Sequence, residues 1–187
     1  KSDIPELPDD KKKRFIDEFK VSAYEATILV SDIETAKYFE EVVAKMGKNR
    51  DMKLAVNWIT GELFAVLNNK NLEISDSPIS AKNLAKLINL IKNGTISGKI
   101  AKTIFELMMD GDKDPQIIVE EKGLKQESDP KALEALIDKI IDDNREKAIE
   151  YKNGKEKLFG FFVGQAMKVS GGKANPQLIN EILKKKL

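Results

Sequence analysis

The sequence predicts an all-α protein: a helical domain followed by a small helical tail domain, with no significant sheet. Three observations carry this reading. Apolar residues recur at three- and four-residue spacing from Phe15 to Leu183, the period of a helix that buries one face. Ser, Asp or Asn precedes most of these runs and Gly follows several of them, which are the start and stop signals of helices. Residues 72–74, the best candidate for a strand, are too few and too polar.

The elements follow in chain order. Residues 1–8 read as a linker leading in from a preceding domain, because Pro5 and Pro8 disfavour helix in the residues before them. The helical domain is expected over 9–122. Asp9 or Asp10 caps a first helix carrying Phe15, Ile16 and Phe19. Ser22 with Glu25 forms a capping box ahead of Ala26, Ile28 and Leu29, and Ser31 with Glu34 repeats the device. The next helix buries Ile33, Ala36, Tyr38, Phe39, Val42, Val43 and Met46 and stops at Gly47. One longer helix is expected over 51–69, its stripe formed by Leu54, Ala55, Trp58, Ile59, Leu63, Val66 and Leu67. Gly61 weakens its middle by about 1 kcal/mol relative to Ala. Ser80 and Ser97 cap two helices ending at Gly94 and Gly111, and Asp114 before Pro115 caps a short third.

Residues 123–129 are polar and turn-forming, and read as a second linker. The tail domain is expected over 130–187, with Asp129 capping and Pro130 at the first helical position. Its helices cover 130–143, 144–169 with a break at Asn153-Gly154, and 176–187. Leu133, Leu136, Ile137, Ile140, Ile141, Ile149, Leu158, Phe162, Leu178, Ile179, Ile182 and Leu183 are the expected core.

Composition excludes several function classes. The 187 residues contain neither Cys nor His, so disulfide frameworks, thiolate metal sites and His-based triads are unavailable. No apolar run approaches the ~20 residues needed to span a bilayer, and no signal peptide opens the chain. The expected setting is reducing and cytoplasmic, without membrane attachment. Net charge is +1, yet residues 151–187 hold eight lysines against two glutamates. Such a split points to an end that faces a polyanion, here read as RNA.

The side chains of the helix over 155–169 support that reading. At ~100° per residue, Leu158, Phe159, Phe162, Val163, Ala166 and Val169 share one side, while Lys157, Phe161, Gly164 and Lys168 share the other. An exposed aromatic between lysines can stack on an unpaired base while the ammonium groups meet phosphates. Gln165 lies at the edge of that stripe. After it, the sequence Ser170-Gly171-Gly172-Lys173-Ala174-Asn175-Pro176 places a lysine before a capped helix start, where N–H groups favour an anion. Each feature also has a structural reading. Phe161 can pack on a neighbouring helix, Gly164 can permit close packing, and Gly171 and Gly172 can form a simple turn. Lys184 to Lys186 suit the negative end of a helix dipole.

Neither catalytic nor metal-ligating residues are assigned. Asp110, Asp112 and Asp114 lack the glycine and glutamate spacing of a calcium loop. Asp142 and Asp143, adjacent in sequence, do not face each other on a helix, and the glycine-lysine spacing is not that of a phosphate-cradling P-loop.

Several short stretches carry a family resemblance. They are Asn57-Trp58-Ile59 with Glu62-Leu63 and Leu67-Asn68, Gly94-Thr95-Ile96-Ser97 with Lys99 and Ala101-Lys102, and Gly123-Leu124 with Gln126, Ser128 and Asp129. The closing match, Val163-Gly164-Gln165-Ala166-Met167-Lys168 followed by Gly172-Lys173-Ala174-Asn175-Pro176, is the most specific. Together with Pro5-Glu6-Leu7-Pro8, they make the chain resemble the C-terminal region of the B subunits of aspartyl/glutamyl-tRNA amidotransferases. The resemblance implies a tRNA-holding part, itself non-catalytic, of a glutamine- and ATP-consuming carbon–nitrogen ligase that makes Asn-tRNA and Gln-tRNA. It further implies ATP and magnesium in a separate catalytic domain. The implied partners are tRNA(Asn) or tRNA(Gln), the amidase of the same complex (its A subunit) and its small C subunit. Gly164, Gln165, Lys168, Gly172, Lys173 and Asn175 are the positions it carries over as RNA-binding, beside Lys157 and Phe161 from the stripe. The competing expectation is a helical protein-interaction module that does not bind RNA.

Overall fold

The computed structural model describes residues 6–48 and 50–187. Its helices are α1 (Pro8–Phe19), α2 (Ala23–Leu29), α3 (Ile33–Met46), α4 (Met52–Asn57), α5 (Phe64–Lys70), α6 (Ala81–Lys92), α7 (Gly98–Met108), α8 (Pro115–Glu121), α9 (Pro130–Asp143), α10 (Arg145–Lys152), α11 (Leu158–Val169) and α12 (Pro176–Lys186). The expected all-α class holds. Among the described residues the only β interaction found is an isolated parallel bridge between Glu127 and Ala174. No helix among them is long and apolar enough to cross a membrane.

The chain divides into two compact units. One comprises the described residues up to Asn93 together with Ile104–Ile118, and the other Gly94–Thr103 with Val119–Leu187. The chain passes between the units at 93–94, within α7 and within α8, and at none of these places in the expected linker 123–129. That stretch is tied into the second unit. The Gln126 N–H donates to the Thr95 carbonyl at 2.7 Å, and the Glu127 N–H donates to the Lys173 carbonyl at 2.7 Å. The Glu127 carbonyl accepts from Asn175 at 3.0 Å. A polar composition reads as a loop because it holds no apolar face, but its backbone groups are paired with distant ones.

In the first unit, Phe15, Phe19 and Phe39 stack with ring centroids 5.2 to 5.4 Å apart, joining α1 to α3. Of the expected linker 1–8, residues 1–5 lie outside the described residues. Glu6 is held by a bidentate pair with Arg14 at 2.7 and 2.8 Å, and Pro8 already opens α1. Neither Asp9 nor Asp10 caps that helix. They lie in its first turn, behind Leu7. The capping box of Ser22 and Glu25 forms as expected. The next cap shifts by one residue: Asp32, not Ser31, accepts from the Thr35 N–H at 2.7 Å, and Ile33 is left exposed. A carboxylate is the stronger acceptor for a helix N-terminus.

The long helix expected over 51–69 begins at an Asp51 cap, but its middle is a π-helix over Trp58–Leu63. There the Phe64 N–H reaches back five residues to Ile59. The Thr60 hydroxyl bonds the Val56 carbonyl at 2.9 Å, and Gly61 faces open space. The wider turn keeps Trp58, Ile59 and Leu63 all buried. Trp58 meets Phe105 edge to face at 5.6 Å.

Asp112 and Asp114 serve as structural acceptors here. Asp112 accepts from the Ser80 N–H and from Asn83 Nδ2, while Asp114 caps α8 through the Gln116 N–H and pairs with Lys86.

The second unit has its own core, built by Leu133, Ile137, Phe162, Ala166, Ile179 and Leu183 from α9, α11 and α12. Three residues expected on the apolar side are outside it: Leu158, which is half-buried, Ile149 and Val169. Ile149 is 59% and Val169 61% exposed. α10 turns only Ala148 inward, and a neighbour ~100° away on the same helix points elsewhere. Val169 is the last residue of α11, past the edge of the core.

Candidate nucleic-acid interface

The predicted stripe on α11 resolves into two separate places. Lys157 stands at the helix entrance without a side-chain cap, and Lys168 occupies the last turn. At 1.5 Å per residue they are separated by ~16 Å along the axis. Both are exposed, as is Gly164, whose Cα faces open space, while Gln165 is half-buried. Phe161 departs from expectation. It is half-buried against the core of its unit, contacts Phe162 edge to face at 5.4 Å, and carries Lys147 Nζ 4.0 Å from its ring centroid. The ring is thus already stacked with a cation and does not stand free for a base.

Lys168 belongs instead with the loop that follows. The Gly172 N–H donates to Met167 at 2.8 Å and the Gly171 N–H to Lys168 at 3.1 Å, the paired bonds of a Schellman helix end. That geometry needs a left-handed residue after the helix, and Gly171 supplies it at φ 61°. Gly172 follows at φ 78° and is buried. The Lys173 N–H donates to the Ser170 carbonyl and the Ala174 N–H to Ser170 Oγ. The loop thereby turns back within a few residues and brings Lys173 beside the helix end that bears Lys168.

The start of α12 is capped differently from what an anion site requires. Asn175 Oδ1 accepts from the N–H groups of Gln177 and Leu178 at 3.0 and 3.4 Å, and the Ile179 N–H donates to the Asn175 carbonyl. Asn175 itself donates to Glu127, and Pro176 has no N–H. The backbone donors expected to cradle a phosphate are already paired. Asn175 acts as a cap, and an anion at this place would be met by side chains.

Two lysines outside the predicted set take part. Lys147 covers Phe161, and Lys99, from the first turn of α7, approaches Gly172. A Cβ built on that glycine would lie 3.9 Å from Lys99 Cδ and 4.0 Å from its Nζ. Neither contact has a local signal, because the partners lie 14 and 73 positions apart. At the far end, Lys186 is paired with Asp138 at 2.6 Å, so part of the terminal lysine run is neutralised. Lys184 and Lys185 remain exposed in the last turn, where they complement the dipole.

Comparison with known proteins places these features in context. The GatB domain family matches residues 37–187. Among curated relatives, the B subunit of the aspartyl/glutamyl-tRNA(Asn/Gln) amidotransferase of Pelagibacter ubique (strain HTCC1062) is 96% identical over 187 residues, covering 100% of this chain and 38% of the relative. Proteins of the same name from Thioalkalivibrio sulfidiphilus and Ehrlichia chaffeensis are 50% and 49% identical, covering 98% and 100% of this chain and 38% of each relative. The chain thus spans about 38% of the length of these relatives.

Proposed function

Because the chain belongs to the GatB domain family, we propose that it is the tRNA-holding, non-catalytic C-terminal part of an amidotransferase B subunit, in an enzyme that converts Asp-tRNA(Asn) or Glu-tRNA(Gln) to the amidated forms. On this reading ATP and magnesium act in the remainder of that polypeptide, ammonia comes from a partner amidase, and the work is done in the cytoplasm. The observation that carries it is the juxtaposition of Lys168 and Lys173 at one tight helix end, within a segment of strongly positive balance. The relatives' names supply the kind of RNA.

The chemistry asked of this face is modest. Lysine ammonium groups meet phosphate oxygens, release counterions and position the RNA. The paired backbone of the loop holds the stretch that bears both lysines in one conformation, so less ordering is left to the moment of binding.

The test is a set of equilibrium titrations with a tRNA(Asn) transcript over a range of salt. Lys168→Ala and Lys173→Ala should each weaken binding and lower the magnitude of the logarithmic salt slope by about one unit. Lys185→Ala, at a helix end away from the loop, should do much less. Equal losses for all three indicate diffuse attraction and no site. A second reading, docking of a protein, draws on exposed Ile149 and Val169. It would show as binding to a protein partner that is nearly independent of salt.

A further inference from the structure

We propose that Lys99 is a further phosphate-contacting residue of the same face, supplied from a part of the chain far from the lysine-rich end. The inference rests on the RNA-holding role argued above and adds a contact to it. Its observations are independent of the charge pattern, since in sequence residues 94–103 form an ordinary capped helix start.

The second unit ties three separate segments together. Residues 126 and 127 are bonded on one side to Thr95, three residues before α7, and on the other to Lys173 and Asn175. This fixes the first turn of α7 beside the loop after α11. Ser97 caps that turn, its Oγ accepting from the Ile100 N–H at 3.2 Å, which leaves Lys99 on the helix start. Its stem runs past Gly172, within ~4 Å of where a Cβ would be. Lys99 therefore lies alongside the loop at Gly172, immediately before Lys173. Lys99 is itself exposed, and its Nζ lies beside Gly172, next in the chain to Lys173.

The helix dipole makes the placement testable in a way that separates binding from folding. A cation in the first turn lies at the positive end of α7 and weakens the helix slightly. A structural lysine would stabilise the fold, whereas a binding lysine here should be retained in spite of it.

The experiment compares Lys99→Ala and Lys99→Arg with wild type in the 187-residue chain, titrating a tRNA(Asn) transcript at several salt concentrations and recording thermal melts. Expected for Lys99→Ala are a several-fold weaker affinity, a salt slope smaller by about one unit, and a melting temperature no lower than wild type. Lys99→Arg should restore affinity and slope, because phosphate contact needs the charge more than the shape of the group.

A wild-type slope for Lys99→Ala, alongside losses for Lys168→Ala and Lys173→Ala, would remove Lys99 from the face and leave the RNA-holding role standing. No tRNA binding by wild type, or no effect of any of the three substitutions, would overturn both. A lower melting temperature with an unchanged slope, or failure of arginine to rescue, would make Lys99 a packing residue and end the proposal.

Discussion

Phe161 and Phe162 are chain neighbours with unlike surroundings, and the difference is measurable. Phe162 is fully buried, so Phe162→Ala should cost ~3–5 kcal/mol, the usual penalty for emptying such a site. Phe161 is half-buried and holds Lys147 over its ring. Phe161→Leu should cost clearly less, the cation–π share being about 0.5–1 kcal/mol. Urea denaturation of both variants checks the order. If Phe161→Leu lost tRNA affinity tenfold at unchanged stability, the ring would return to the binding face. The sequence places Phe161 correctly on the helix but misjudges its exposure. Helical periodicity gives the side a residue points to, and only the fold shows that α10 brings Lys147 there. Lys99 escapes for the same reason: its neighbour Gly172 is joined to it by tertiary contact alone. The Asn175 cap is legible because its bonds lie within a few residues.

Among the elements, caps are the most readable feature, since each is a bond between residues two or three apart. Ser22, Ser80, Ser97, Asp114, Asp129 and Asn175 all accept from the expected turn, while the caps expected at Asp9 or Asp10 and at Ser31 fall to Leu7 and Asp32. The π-helix over Trp58–Leu63 is not readable. Its apolar spacing suits an ordinary helix nearly as well, and the choice is made by fitting Trp58, Ile59 and Leu63 into one core. The short helix α2 yields a prediction of its own. The Ser22 N–H and hydroxyl hold the Glu25 carboxyl below its ordinary value of 4.5. A carboxyl depressed by folding contributes stability that is present above its unfolded pKa and lost as pH falls through the folded one. Thermal melts from about pH 7 to about pH 3 should therefore fall less steeply in Glu25→Gln than in wild type. Ser22→Ala should cost about 1 kcal/mol at neutral pH. Identical acid profiles for wild type and Glu25→Gln would show that the capping box carries no share of the acid sensitivity.

For the whole molecule, the charge split is legible because it needs only a count, and the two-unit organisation is legible only in outline. Residues 123–129 look like a tether and behave as a seam, which sets where a stable tail can begin. A fragment starting at Val119 retains Glu127 and its two bonds to Lys173 and Asn175, whereas one starting at Pro130 loses both. The longer fragment should have the higher urea midpoint, and equal midpoints would show that the seam adds nothing. The paired backbone of the loop has a consequence of another kind. From Gly171 to Ile179, every residue that has an N–H already donates it within the protein, so the loop offers an incoming RNA its ammonium groups and no rigid array of directional donors. Ammonium groups on long stems grip phosphates and are indifferent to the letters strung between them. If this face holds tRNA as proposed, a handhold of this sort does not tell one tRNA from another. In competition titrations, tRNA(Asn) and tRNA(Gln) transcripts should then displace each other from this chain with affinities agreeing to within about threefold. A preference on the order of tenfold or more would mean that some other part of the chain reads bases.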